Sequence, residues 1–526
     1  MYMNNVNILP CRLVRFSVSV IVFTTVFLLC TLHYVRAGAI AIDGKFGDWD
    51  QKVEILVDPV DAEDGFVDLG SIRYASDGHH LHLMLELRRT VNLQAMDGQL
   101  TLYFDADGDV TTGRTDGPLL GADLAIVCTA PTNRHIEAAG MGLAVEVYHR
   151  SPTNDTTWHE SPYTLGISFA PTIASPQSEL RIERGVSLHD RTLFAGKKVT
   201  MRIIATTVVG DVVDAIPSLT LHLPELETTP WKPANEVSLE RMAGNHLRVI
   251  TWNIERGSIL NTPLPFVRTL RALDADIILL EELTSQQSQH TIETFFNNHC
   301  PLSDNARWYV HLGSGGGNLR CAIVSSFPFK AIDALDTVPY ENQTNRSVRQ
   351  ASCIVNVDDT NVFVCAIHLK CCGRVNSREE VTRLTEVRSL INAIAASIGN
   401  QQIDVMILGG DVNLVGGHAP LTNLIEGCNR MGHQVQVVDA YQLDGRTNAT
   451  WYDADQPFVP GRLDYLLCSV NGVTIEQSFV FDATDLPQHL RSNTGILPTD
   501  SLDASDHRPV VVDLRFDNSS SVGNFE

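Results

Sequence analysis

The sequence predicts two folded domains, an antiparallel β-sandwich followed by an α/β sandwich of four layers. The chain of 526 residues is longer than one hydrophobic core normally organises. Its first half contains short alternating strands separated by turns rich in Asp and Gly, which are typical of antiparallel sheets. In its second half, near-continuous apolar runs alternate with helical patterns, as expected of sheets covered on both faces.

Residues 1–39 have the layout of a secretory signal. Arg12 and Arg15 precede an apolar run at 16–32, and small residues follow at 37–39. The run is shorter than a usual membrane span and contains Ser and Thr, so we expect a cleaved signal and no stable membrane span. The alternative is a retained anchor. In either case the protein is predicted to be secreted or extracytoplasmic.

Residues 40–226 form the predicted β-sandwich, with strands at 81–87, 100–104, 143–148 and 199–206. The motifs IDGKFGDW and FDADGDVTTG, which begin at Ile42 and Phe104, resemble sandwiches of the carbohydrate-binding module family 9 type. This resemblance implies a polysaccharide or another surface as the ligand.

The second of these motifs also suggests a cation site. Asp105, Asp107 and Asp109 alternate around a glycine turn and offer the oxygen ligands that Ca²⁺ prefers. The alternative is an ordinary acidic turn. Trp49 and Trp158 either stack on sugar rings or belong to the sandwich core, and the core is favoured.

Residues 227–246 contain two prolines and no sustained periodic pattern of apolar residues, which predicts a linker. Residues 517–526 are predicted to form a short tail. Between them, 247–516 form the predicted α/β domain, with helices at 263–273 and 378–398. Its predicted strands are at 248–252, 277–280, 321–325, 362–367, 405–408, 463–468 and 510–514.

Charge and cysteine content limit the possible functions. The formal net charge of −23 excludes binding of nucleic acid through a broad basic surface, although a metal-assisted site can still act on phosphates. Of the eleven cysteines, nine follow the predicted signal, an odd number that cannot all pair within one monomer. The adjacent Cys371 and Cys372 suggest one bridge and a buried thiol rather than a zinc site.

Six short polar motifs lie at the ends of the predicted strands of the α/β domain, where loops from one rim can bring them together. They are TWN at 251–253, LLEEL at 279–283, IHL at 367–369, GGDVN at 409–413, RLDY at 462–465 and SDHRPV at 505–510. In this order they resemble the endonuclease/exonuclease/phosphatase superfamily. The resemblance covers the second half of the chain only and implies a deoxyribonuclease I-like four-layer fold.

The resemblance also implies roles for individual residues. Glu282, Asn253 and Asp506 would hold Mg²⁺ or Mn²⁺, with Glu282 the principal ligand. Glu281 is expected to be a solvated neighbour, because the family usually has Gln at that position.

The remaining roles concern proton transfer and the phosphate. His507 would take a proton from water, and Asp464 would orient its ring. His368 would donate to the phosphate or assist the leaving group, while Asp411 and Asn413 would position the nucleophile and the phosphate. Arg349 would pair with the phosphate, with Arg346 as a rival.

Together these features predict a secreted, divalent-metal-dependent phosphodiesterase that acts on nucleic acid or phospholipid, and a nuclease is favoured. The alternatives are a sphingomyelinase, an inositol-phosphate phosphoesterase and a non-catalytic adhesin. The strand at 321–325 lacks the preceding Tyr of abasic-site enzymes, which disfavours a DNA-repair role. No aromatic-rich hairpin for bilayer insertion is evident, which weakens the sphingomyelinase alternative.

Overall fold

The structure is a computed structural model that describes residues 40–50, 52–63, 65–129, 141–150, 155–232, 237–241, 246–303 and 306–517. The predicted signal at 1–39 and almost all of the predicted tail lie outside the described residues. The described residues belong to one compact unit. None of the described helices is both long and apolar enough to cross a membrane.

The first half of the chain is strand-rich, as predicted. One antiparallel sheet has five strands in the order β1-β2-β3-β9-β8, and the other has the order β13-β12-β4-β5-β6-β7 with β14 also paired to β12; β10 and β11 form a hairpin. The strands are β1 (Val53–Val57), β2 (Ser71–Ser76), β3 (His80–Val91), β4 (Gln99–Asp105), β5 (Leu124–Cys128), β6 (Leu143–Arg150), β7 (Asp155–Glu160), β8 (Ser168–Ala170), β9 (Ser175–Glu183), β10 (Ser187–Leu188), β11 (Arg191–Thr192), β12 (Lys198–Thr206), β13 (Val212–Ala215) and β14 (Leu219–His222).

Alternating side chains of the two sheets form the sandwich core. Leu83 and Leu85 of β3 belong to the same buried cluster as Leu102 of β4. Trp49 is fully buried and its indole N–H donates to Glu179 Oε2 at 2.7 Å, so it is a core residue. Trp158 stacks on His189 with 3.9 Å between ring centroids.

The second half contains two six-stranded mixed sheets, as predicted. Their orders are β17-β18-β16-β15-β28-β27 and β19-β22-β23-β24-β26-β25, and only β15–β16 and β23–β24 pair in parallel among the described strands. The strands are β15 (His246–Asn253), β16 (Ile277–Thr284), β17 (Tyr309–Leu312), β18 (Leu319–Ser325), β19 (Phe329–Ala331), β20 (Pro339–Tyr340), β21 (Gln343–Ser347), β22 (Arg349–Val357), β23 (Thr360–His368), β24 (Val405–Asp411), β25 (Val435–Val437), β26 (Asp464–Ser469), β27 (Val473–Val480) and β28 (Val510–Phe516).

Seven helices are described in this half. They are α1 (Ser258–Asn261), α2 (Pro263–Leu273), α3 (Gln289–His299), α4 (Arg378–Ile398), α5 (Ala419–Arg430), α6 (Gln488–Thr494) and α7 (Asp500–Ala504). The helices at 263–273 and 378–398 begin and end where the sequence pattern predicted. Ser377 caps α4 by accepting a hydrogen bond from the Glu380 amide, which satisfies an otherwise unpaired N–H of the first turn.

Three apolar layers hold the α/β domain together. Val249 of the first sheet and Ile407 of the second belong to a core between the sheets. Phe266 of α2 packs on the outer face of the first sheet, and Leu390 of α4 packs on the outer face of the second. The order helix, sheet, sheet, helix is the predicted four-layer sandwich.

The cysteines contradict the expected bridge. All nine described cysteines are free, and seven of them are buried in the cores. Cys353, for example, lies between the two sheets of the α/β domain, where a thiol behaves as a small apolar side chain. Cys371 and Cys372 remain as two thiols near the surface.

The segment predicted as a linker packs against both halves of the molecule. Val237 and Leu239 are buried in the core under the first sheet of the α/β domain. The guanidinium of Arg446 lies over the ring of Trp231, 4.6 Å from the ring centroid. His80 of the sandwich lies beside the same tryptophan ring. These contacts give the segment a fixed path in the described structure.

A buried ion pair in the first sheet provides a test of the packing. Arg248 and Asp513 are paired twice, at 2.6 and 2.7 Å, and Arg248 also donates to the carbonyl of Leu239. Arg248→Met should lower the free energy of unfolding by about 3 kcal/mol, because it leaves a buried carboxylate without its partner. Urea denaturation measures this change.

The matched control is Arg515→Met on β28, the strand of Asp513, where the pair with Glu476 is partly exposed, at 46% and 23%. The control should lower the free energy of unfolding by less than about 1 kcal/mol. Equal effects of the two substitutions would contradict the described burial.

Candidate active site

Four of the predicted site residues form a row across the second sheet. Arg349, His368, Asp411 and Asp464 are register partners on β22, β23, β24 and β26. Register partners point to the same face of a sheet, and here that face is the one that packs against the other sheet. The row therefore lies at the end of the layer between the sheets.

His507 and Asp464 form a buried pair. The His507 ring shares a hydrogen bond of 2.7 Å between Nδ1 and Asp464 Oδ2, and Thr450 Oγ1 donates to the same oxygen at 2.6 Å. The Trp252 indole donates to the His507 carbonyl at 3.1 Å. With its Nδ1 bonded to Asp464, the ring directs its Nε2 towards Asp411 Oδ2, 3.9 Å away.

Negative charge accumulates around this pair. Burial alone lowers the pKa of His507, but the carboxylates of Asp464, Asp411 and Asp506 outweigh burial and raise the pKa to about 10. Burial raises the pKa of Asp411, and the neighbouring Asp464 and Glu282 raise it further, against the opposing effect of His507. Such a concentration of carboxylates favours binding of a cation.

His368 joins the two sheets at the site. Its Nε2 lies 3.6 Å from Asp411 Oδ2 and 3.7 Å from Glu282 Oε1. Burial and the nearby Arg349 lower the pKa of His368, so the ring is neutral at neutral pH. Its Nδ1 is buried without a hydrogen-bond partner among the described residues.

A backbone irregularity separates the roles of the two adjacent glutamates. The register between β16 and β18 shifts after Leu280, and Glu282 has a φ of 62°. Glu282 lines the cleft, whereas Glu281 is fully buried and accepts from Thr251 Oγ1 at 3.1 Å. The expectation that Glu281 is solvated is wrong, because the alternation from Leu279 directs it between the sheets.

The glycines of GGDVN bring the chain close to its neighbours. Gly410 has a φ of 144°, and a Cβ there would lie 1.8 Å from the Ile367 carbonyl oxygen. Only glycine fits this position. Three residues later, the side chain of Asn413 donates from Nδ2 to the Leu369 carbonyl at 3.1 Å. The backbone N–H of Asn413 donates to Asp411 Oδ1 at 3.0 Å.

The predicted metal ligands offer oxygen donors around the cleft. Glu282 and Asp506 both line it, and Asp506 Oδ2 is held by the Trp451 indole at 3.0 Å. The side chain of Asn253 donates to Asp411 at 3.0 Å and accepts from the Glu255 amide at 3.1 Å through its oxygen. Carboxylate and amide oxygens, together with the surrounding negative charge, suit Mg²⁺ or Mn²⁺.

The structure distinguishes the two candidate arginines. Arg349 Nη1 lies 3.5 Å from His368 Nε2, and its Nη2 lies 3.9 Å from Glu386. Arg346 instead lies over the ring of Tyr340, 5.2 Å from its centroid. Arg349 is therefore the arginine next to the row of site residues.

The acidic cluster of the sandwich differs from the predicted one. Carboxylate oxygens of Asp105, Asp107 and Asp123 lie within 4.8 Å of one another, so Asp123 takes the place expected for Asp109. Asp109 instead accepts from Thr111 Oγ1 at 2.7 Å. Arg191 lies 2.6 Å from Asp123 and 3.2 Å from Asp107, and it already supplies positive charge to the cluster.

Sequence reasoning missed the residues that hold the site in place. Thr450, Trp451 and Ser505 each bond to a site residue or to its backbone. Ser505 begins the SDHRPV motif but was given no role, and Thr450 and Trp451 lie outside the motifs. Their partners are distant in sequence, and no periodic pattern identifies such contacts. The sandwich residues that line the same cleft, such as Asn92, gave no signal at all.

Comparison with known proteins agrees with this geometry. Residues 250–507 match the Endonuclease/Exonuclease/phosphatase family. No match to a curated protein was found.

Several solved structures are similar in fold to about half of this chain. Truncated TDP2 from Caenorhabditis elegans has 19% identity and covers 52% of this chain and 98% of its own, with a TM-score of 0.35. The human Nocturnin catalytic domain with bound sulfate has 17% identity, covers 52% and 95%, and has a TM-score of 0.35. The 3'-5' exonuclease (NExo) from Neisseria meningitidis has 16% identity, covers 52% and 100%, and has a TM-score of 0.35.

Residues 250–507 thus form a domain of the endonuclease/exonuclease/phosphatase superfamily. Members of this superfamily are hydrolases that act on phosphodiester bonds. The assignment rests on the family match and on the site geometry described above.

The buried His507–Asp464 pair leads to a testable titration. In the metal-free protein the pKa of His507 should be far above the usual value of about 6.5. Asp464→Asn should lower it towards that value, because the imidazolium loses its nearest negative charge. NMR of ¹³C-labelled histidine measures the titration, with His507→Gln to assign the signal.

The control for this titration is Asp455→Asn, an exposed carboxylate on the neighbouring loop. It should leave the His507 titration unchanged. An Asp464→Asn protein in which His507 titrates as in the wild type would show that the two side chains are not paired.

Proposed function

We propose that the protein is a divalent-metal-dependent phosphodiesterase, and a nuclease is the favoured form of this activity. The observation that carries the proposal is the convergence of His507, His368 and Glu282 on one cleft of about 430 Å³. Asp464 is bonded to His507 behind this cleft. Metal-assisted hydrolysis of a phosphodiester requires a general base and oxygen ligands for a cation. This cleft contains a histidine oriented by a carboxylate, together with such oxygen ligands.

The chain supplies the proton acceptor and the donors. His507 Nε2 would take the proton of the attacking water, while Asp464 stabilises the imidazolium that forms. Arg349 and His368 lie on the second sheet, where they would donate to the phosphoryl oxygens. Asp411 and Asn413, hydrogen-bonded to each other, would position the water and the phosphate.

Glu282, Asn253 and Asp506 would hold Mg²⁺ or Mn²⁺. When bound, the cation would neutralise charge on the phosphoryl oxygens and, through its own charge, lower the pKa of His507 so that the ring is neutral. Without it, the surrounding carboxylates keep His507 protonated. The carboxylates that surround His507 thus support the proposed metal requirement.

The proposal extends to location. The leader-like segment at 1–39 supports secretion, with the sandwich as a module that attaches the enzyme to polysaccharide or another surface. N-terminal sequencing of protein recovered outside the cytoplasm tests this part, and a mature chain that begins near residue 40 would support it. A chain that retains residues 1–39 in the cytoplasm would contradict it.

The adjacent glutamates provide a matched pair of variants. Glu282→Gln should lower kcat/KM for bis(p-nitrophenyl) phosphate in Mg²⁺ by about 10²-fold or more, because it removes the principal metal ligand. Glu281→Gln should keep a rate close to wild type. Burial and the nearby Asp464 raise the pKa of Glu281 well above its usual value, so the side chain is already neutral, as Gln is.

Initial rates of p-nitrophenolate release measure both variants, and chelation with EDTA should abolish the wild-type rate. Equal losses in the two variants would contradict the assignment of Glu282 as the ligand. Full activity of the wild type in EDTA would contradict metal dependence.

A further inference from the structure

The sandwich domain forms one wall of the catalytic cleft. Asn92, Gln94, Ala95 and Thr172 line the cleft from the sandwich. From the α/β domain, the site residues that line the same cleft are Glu282, His368, Asp411, Asn413, Asp506 and His507. Domains of a protein often meet at a binding site, and here the second domain completes the site.

Hydrogen bonds fix this wall in place. Gln94 Oε1 accepts from the Val459 amide at 3.0 Å, and Asn92 Nδ2 donates to the Val415 carbonyl at 3.0 Å. Thr172 Oγ1 accepts from the Arg462 amide at 2.9 Å. The two domains are therefore joined at several points around the cleft, and the wall has a defined position relative to the site.

The surface that the wall offers to a substrate is largely apolar and aromatic. Gln94 Oε1 and Asn92 Nδ2 are engaged in the interdomain bonds, and Ala95 lines the cleft beside them. Phe458 and Trp451, from the loop that contacts the sandwich, line the cleft as well. Aromatic side chains of this kind stack on planar rings.

The charge of the cleft disfavours duplex nucleic acid. Among the described residues that line it, Arg256 is the single arginine or lysine, against the carboxylates of Glu282, Asp411, Asp453 and Asp506. A duplex binds through several cations that neutralise successive phosphates. A cleft of about 430 Å³ instead has the size of a small-ligand site.

We propose that Ala95 of the wall, together with Phe458 and Trp451 of the α/β domain, forms a subsite for one planar aromatic group of the phosphodiester, such as a nucleobase, and that the cleft excludes duplex nucleic acid. This inference rests on the proposed phosphodiesterase function. The phosphoryl group would lie at His507 and Glu282, and the aromatic group would pack against the wall.

Two chromogenic substrates test the subsite. Bis(p-nitrophenyl) phosphate and methyl p-nitrophenyl phosphate release the same phenolate. The group that stays on the phosphate is an aromatic ring in the first substrate and a methyl group in the second. Phe458→Ala should lower kcat/KM for the first substrate about tenfold relative to the second, because only the first loses ring contacts. Leu264→Ala, an exposed apolar position on α2, is the control and should leave the ratio unchanged.

Duplex exclusion is measured with the full-length wild type in Mg²⁺. Linear duplex DNA should be cleaved at least about a hundredfold less efficiently than bis(p-nitrophenyl) phosphate. Comparable cleavage of the duplex, or an unchanged substrate ratio in Phe458→Ala, would overturn the inference while leaving the phosphodiesterase function in place.

Binding separates the two proposals when turnover is missing. Isothermal titration calorimetry measures the affinity for bis(p-nitrophenyl) phosphate without hydrolysis. The two proteins compared are His507→Ala and the double variant His507→Ala/Phe458→Ala. Weaker binding of the diester by the double variant than by His507→Ala supports the subsite. A wild type that hydrolyses no phosphodiester would overturn the proposed function but would leave this result for the subsite in place. Equal binding by both variants overturns the subsite.

Discussion

The packing of two sheets face to face is the constraint on which the site depends. Arg349, His368, Asp411 and Asp464 lie in one row because strand register aligns them, and this row ends the apolar layer between the sheets. The other sheet brings Glu282 within reach of His368. A shift of one sheet relative to the other would separate Glu282 of the first sheet from His368 of the second. It would also separate His507, which precedes β28 of the first sheet, from Asp464 of the second.

Burial gives these side chains their chemical properties. In water, His507 would titrate near pH 6.5. Burial alone would lower this pKa, but the carboxylates of Asp464 and Asp411 outweigh burial and raise the pKa to about 10. The same low exposure keeps His368 and Glu281 neutral. A cation bound at this site would change the net charge of the site and also the protonation of His507. Metal binding and the basicity of His507 are therefore linked in this account.

The sequence predicted the layers and grouped side chains that the structure brings together, because strand ends and hydrophobic periods are local properties. It predicted α2 and α4 with their bounds, and it placed His507 with Asp464 through short motifs. It missed the burial of Glu281, although alternation from Leu279 contains that information. It also missed Asn92 and Gln94, because contacts between domains depend on how two surfaces fit and leave no periodic trace.

The most direct test of this account is the rate of bis(p-nitrophenyl) phosphate hydrolysis by Asp464→Asn in saturating Mg²⁺. The account predicts a folded protein whose kcat falls by about 10⁴-fold, because the ring of His507 loses the partner that fixes its tautomer. A variant that retains the wild-type kcat would show that the His507–Asp464 pair does not activate water.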